Sequence, residues 1–154
     1  MAYQKLQAGR AITVIPSDTI DIPNIAAISA SGTTTAGTAN KLTDTTAGNS
    51  FITKRVAVGD IIYTSNLATN LVATVTAVDS ATVLSTSITI PTLTTYNIYS
   101  QADNPSGGCV LYCGGTGNID VITAGGDTVN LTGVPTGLFV PVQVVRVKST
   151  LTTA

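Results

Sequence analysis

The chain has 154 residues, 44% of them apolar and only 10% charged, against about a quarter charged in ordinary soluble domains. Seven Lys and Arg face eight acids, all of them Asp, and there is no His and no Trp. The length supports a real hydrophobic core, and a near-neutral balance with no basic patch excludes phosphate neutralisation, and with it a nucleic-acid partner.

Apolar residues alternate along the chain far more often than they recur at helical spacing. Ala11–Ile15 (AITVI) reads as a strand closed by Pro16, and PSDT follows as a turn in which Asp18 bonds its own backbone. Thr19–Ile22 is a second short extended piece. Ile25–Ser31 alternates and stops at Gly32, residues 32–40 form a polar loop, and one helical turn is expected near Asp44. Gly59-Asp60 marks a turn or bulge before the strand Ile61–Thr64. NLATN is a turn. Leu71–Val78, Val83–Ile90 and Tyr96–Tyr99 are further strands.

After QADNPSGG comes a second group: Cys109–Cys113, Ile119–Thr123, Thr128–Thr132 and Leu138–Val147, with TAGGDT as a hairpin turn and Pro141 marking an edge or bulge. The tail Ser149–Ala154 carries no core pattern. Short strands punctuated by turns every 8–12 residues, with β-branched residues abundant and Glu absent, predict an all-β protein built as an antiparallel sandwich or barrel. A surface of Thr, Ser and Asn loses little entropy when covered, which suits a protein embedded in an assembly.

No apolar run reaches the ~20 residues that span a bilayer, so no membrane partner is expected. The opening MAYQKLQAGR lacks the apolar region of a secretory signal, so synthesis in a cytoplasm is expected and the NLT at Asn130–Thr132 would go unglycosylated. The two cysteines, Cys109 and Cys113, would share one strand face with Leu111 but lie ~13 Å apart at strand rise. That separation excludes a disulfide between them, which needs Cα atoms within about 7 Å. Two thiols without histidine make no zinc site. They read as buried strand thiols, with intersubunit metal or disulfide contacts as the alternative.

Reactive chemistry is sparse. Without His, the Ser-His-Asp and Cys-His arrangements are missing. Asp18 and Asp21 could form a carboxylate pair but sit in turn chemistry. The glycines of GGTGN and TAGGDT lack a phosphate cradle and its helix, and the scattered Asp residues make no calcium loop. The composition therefore points away from an enzyme and names no catalytic, cofactor-binding or metal-binding residue.

Two stretches carry a resemblance. AITVIPSDTIDIP (residues 11–23) and GGTGNIDVITAGGDTVNLTGVPTGLFVPVQVVRVKSTLTTA (residues 114–154) together resemble the head-spike base proteins of tailed phages and gene-transfer agents, through Pro16–Pro23, Thr123–Asp127, Gly133–Gly137 and Val140–Ala154. In that family a strand ending in a Gly-rich turn follows the opening almost at once. Here that strand is GCVLYCG, and about 80 residues intervene.

The resemblance implies a discontinuous β-sandwich frame, residues 1–24 plus 105–154, with a small β-barrel-like module, residues 25–104, inserted at exposed turns. The insert resembles small β modules of other phage structural proteins through VGDIIY and ATVTAVDSATVLS. It further implies a virion structural protein on the outer capsid surface, a decoration or cement protein or the base of a head spike. Its expected partners are the major capsid protein, further copies of itself as a trimer or pentamer, and a spike or fibre protein. Met1–Arg10 and Ser149–Ala154 are the expected assembly contacts. A receptor- or glycan-binding fibre component is the alternative.

Overall fold

The computed structural model describes residues 11–46, 48–65, 70–101 and 107–154. The fold is all-β, with no helix among these residues. Nine strands form: β1 (Ile28–Thr33), β2 (Lys41–Thr43), β3 (Ile61–Ser65), β4 (Val72–Val78), β5 (Val83–Thr86), β6 (Thr95–Tyr99), β7 (Gly117–Thr123), β8 (Thr128–Val134) and β9 (Val144–Val147). The first six make one antiparallel sheet in the order β1-β6-β3-β4-β5-β2, and the last three make another in the order β8-β7-β9.

The six-stranded sheet curls onto itself. Just past β1, Ala36 bridges to Thr43 and the Thr35 N–H donates to the Thr43 carbonyl at 2.8 Å, so the chain leaving β1 meets β2. This contact covers the outer edge of β2, which a flat sheet would expose. Leu42, Phe51, Ile62, Ala73, Val75, Leu84, Ile90 and Ile98 fill the interior, supplied by the inward half of each alternating strand.

A buried polar cluster caps this interior. Asp44 is fully buried, and it accepts hydrogen bonds from the Tyr96 hydroxyl (2.7 Å), the Thr46 N–H (2.9 Å) and the Asn49 amide. Lys54 donates to the Asn49 carbonyl oxygen. Burial pushes the Asp44 carboxyl up, but the Thr46, Tyr96 and Asn49 hydrogen bonds outweigh it and leave it below the ordinary value. Gly32 passes so close that a Cβ there would sit 2.8 Å from the Tyr96 hydroxyl and press into the Asp44 carboxylate.

Several strand bounds differ from the sequence expectation. The helical turn falls at 50–54, where the Lys54 N–H donates to the Ser50 carbonyl, and the chain before Asp44 is instead β2. Val83–Ile90 is a ladder strand only through Thr86, and Leu138–Val147 only over Val144–Val147, with Phe139 held by an isolated bridge to Tyr112. Ala11–Ile15 joins no ladder, and Cys109–Cys113 is held by isolated bridges. The turn at NLATN falls mostly, and the DNP boundary and the arm Met1–Arg10 fall wholly, outside the described residues.

The three-stranded sheet has its own core: Ile22, Leu111, Cys113, Ile119, Val121, Val134, Val140, Val144 and Val147. A third cluster joins this part of the chain to the closed sheet. Ile61, Tyr63 and Tyr99 on β3 and β6 pack against Ile12, Ile15, Ile20 and Ile25, with the Tyr63 and Tyr99 rings edge-on at 5.9 Å. Burial raises the Tyr63 hydroxyl to about 12.

Candidate functional site

The two stretches that carry the sequence resemblance lie against each other. Residues 17–22 run along the outer edge of β9, where the Ser17 N–H donates to Val147 and the Ile22 N–H to Val145, both at 2.8 Å. Asp18 then grips the chain beyond β9. Its carboxylate accepts from the Ser149 hydroxyl (2.6 Å), the Thr150 hydroxyl (2.8 Å) and the Thr150 N–H (3.1 Å). The Ser149 and Thr150 hydrogen bonds hold its carboxyl down at about 2. Asp21 pairs with Arg146 at 2.7 Å. The two carboxylates thus have separate structural partners, and neither faces the other as a general acid and base would.

The tail continues as a third contact. Lys148 pairs with the buried Asp120 carboxylate at 2.8 Å, which raises the Lys148 ammonium above its ordinary value. The Thr152 hydroxyl accepts from the Asp120 N–H, and the Thr153 hydroxyl from the Asn118 N–H. Gly117 makes this approach possible: a Cβ there would meet the Thr153 hydroxyl at 2.7 Å. Ser149–Ala154, expected to be an assembly contact, is therefore fastened to its own sheet through Thr153 and Asp18.

Cys109 and Cys113 are both free thiols, Cys109 half-buried and Cys113 buried. Cys109, Leu111 and Cys113 turn inward and Val110 and Tyr112 outward, as strand alternation requires. Burial raises the Cys109 thiol, which disfavours the reactive thiolate. No three Cys or Asp side chains converge as metal ligands among the described residues.

The outward residues make the surface of interest. Tyr112 is 60% exposed and Phe139 65% exposed, with ring centroids 5.1 Å apart. They stand at the mouth of an apolar groove of about 610 Å³, whose walls include Ile12, Val14, Leu111, Cys113 and Ile119. The Val140 N–H donates to the Leu111 carbonyl and the Cys113 N–H to the Leu138 carbonyl, both at 2.9 Å, which fastens this segment beside Phe139. A solvent-facing aromatic pair beside an apolar groove is the composition of a contact patch. Sequence reasoning missed the pair. Tyr112 could have been found from its place between two inward thiols, whereas Phe139 meets it only through the fold.

No protein-family model, no curated protein and no solved structure matches this chain.

Proposed function

We propose that this protein is a phage virion structural component that binds the outer surface of a capsid shell, as a decoration or cement protein or as the base of a head spike. Binding, not turnover, is its mechanism. The observation that carries the reading is the joining of the two family-like stretches: Asp18 of PSDT holds Ser149 and Thr150, about 130 residues away in sequence order. This contact supports placing the two stretches in one frame.

The Tyr112–Phe139 patch supplies apolar area that a shell protein or a neighbouring copy would cover. Many such contacts, each modest, become collectively strong on a repeating lattice. The experiment is to mix purified protein with capsids lacking surface proteins and measure bound mass and the force or heat at which the shells fail. Saturable binding with a stabilised shell is the expected result, and no binding would remove the reading. Tyr112→Ala with Phe139→Ala should weaken that binding.

One observation favours the second reading. An exposed aromatic pair is also a platform on which sugar rings stack, as in a receptor-binding fibre component. Competable binding on a glycan array, lost in Tyr112→Ala, would put this reading first.

A further inference from the structure

The chain manages its sheet edges unequally. In the six-stranded sheet residues 35–36 cover the outer edge of β2, and residues 17–22 cover the outer edge of β9. The outer edge of β8 has no such cover among the described residues. Its backbone directions follow from the hairpin. The Thr123 N–H donates to the Asp127 carbonyl, so hydrogen-bonded pairs recur two residues on, at Val121–Val129 and Ile119–Leu131. Asp120 correspondingly sends its carbonyl the other way, to the Lys148 N–H at 2.8 Å. On β8, Val129 and Leu131 therefore bond to β7, and the N–H and C=O groups of Thr128, Asn130 and Thr132 point out of the sheet.

Edges are ordinarily blunted by charge, proline, a bulge or a covering segment. Thr128–Leu131 has none of these. The first such device is the irregularity at Thr132–Gly133, where Gly133 takes φ 64°. Five uncharged residues, of which Thr128, Asn130 and Thr132 have outward backbone groups and exposed side chains, form a template for another strand.

We propose that β8 pairs antiparallel with β8 of a second copy, about a two-fold axis at Asn130. The strand fits itself. Thr128 falls opposite Thr132, hydroxyl to hydroxyl, Asn130 opposite Asn130, amide to amide, and Val129 opposite Leu131. The nearest charge, Asp127, falls opposite Gly133, so no like charges meet. A two-fold interface demands this self-complementarity. A charged partner strand would find no counter-charge on Thr128–Thr132. The pairing joins two three-stranded sheets into one of six and continues the apolar face through Val129 and Leu131, beside the hollow lined by Val134 and Leu138. The inference goes beyond the function proposed above, gives a two-fold pair where the resemblance implies a trimer or pentamer, and holds without any capsid.

The test is light scattering of the full chain across a dilution series. The mass should double with concentration. Asn130→Lys places two positive charges across the axis and should leave a monomer at concentrations where the unaltered chain is dimeric, with the same far-ultraviolet circular dichroism and, in dilute solution where both chains are monomeric, the same unfolding midpoint. Asn130→Pro removes an outward N–H and takes no bond from β7, so it should do the same. If the proline variant misfolds, the lysine variant still decides. Asn130→Cys should cross-link to a dimer on mild oxidation, with the unaltered chain as control for Cys109 and Cys113.

A monomer at every concentration, a trimer or pentamer, or a dimer that survives Asn130→Lys would each overturn the proposal. The capsid-binding assay fails or succeeds separately, because it reads shell mass and not the mass of the free protein.

Discussion

The closed sheet of residues 28–99 and the three-stranded sheet of residues 117–147 solve the same problem in opposite ways. The first turns the chain beyond β1 back onto β2 and builds a polar cluster, Asp44, Asn49 and Tyr96, into the end of an apolar interior. The second borrows chain from both termini, residues 17–22 along β9 and residues 148–154 across β7, and leaves β8 open. A region held by borrowed segments keeps an edge and an apolar groove, which is where assembly contacts are to be sought.

The sharpest way to break the self-contained region is at its polar cluster. Asp44→Ala leaves the Tyr96 hydroxyl, the Asn49 amide and the Thr46 N–H without their shared acceptor inside a buried site. At ~1–3 kcal/mol for each buried group left unsatisfied, the loss should be about 3 kcal/mol or more. Denaturant unfolding should show it, with amide protection falling throughout residues 28–99. If only the 44–49 loop loses protection, the cluster is a local clip and not part of the core.

Next in size is Leu111→Ala, which hollows the second core beside Val121 and Val140. Large-to-small core changes cost about 2–5 kcal/mol, and Leu111 should fall in the lower half because the groove beside it lets the site collapse. Amide exchange should place this loss in residues 109–147 and spare the closed sheet. Gly32→Ala should cost about 1–3 kcal/mol through overpacking against Asp44 and Tyr96. Tyr63→Ala acts on the seam. It removes the ring that Ile12, Ile15 and Ile20 pack against, and calorimetry should then resolve two unfolding steps where the unaltered chain shows more nearly one.

How much of this was readable in sequence depends on where each residue's partners lie. The β7–β8 hairpin was plain, because TAGGDT supplies its turn and Gly126 takes the positive φ that the turn needs. β3, β4 and β6 were legible from alternation within a residue or two. β2 was not: three residues, KLT, among polar neighbours carry no period, and only the neighbouring β5 makes them a strand. Leu138–Val147 looked like one long strand, but Pro141 cannot donate to a ladder and pairing resumes only at Val144. Asp18 was read as bonding its own turn. Its actual partners, Ser149 and Thr150, lie too far along the chain for any local pattern to signal them. The aromatic patch failed for the same reason, since Tyr112 and Phe139 come together only when residues 109–113 dock on residues 138–144.

The smallest expected effect concerns that same Asp18 and separates the borrowed segments from the sheet they complete. Its carboxyl drops from the ordinary 3.8 to about 2 because the folded chain directs two hydroxyls and an N–H at the ionised form. The unfolded chain therefore takes up the proton first, and the grip on residues 149–150 is complete above the ordinary value and fades as pH falls towards 2. The Thr150 amide resonance should follow this titration with a midpoint near 2, while Val121 and Val129 amides stay fixed. Asp18→Asn should abolish the titration and speed Thr150 exchange at neutral pH, because an amide offers one acceptor oxygen where the carboxylate offered two. Movement of the β7–β8 amides with the same midpoint would mean that the tail is integral to the sheet. Their staying fixed would make it a strap fastened to a sheet that stands without it.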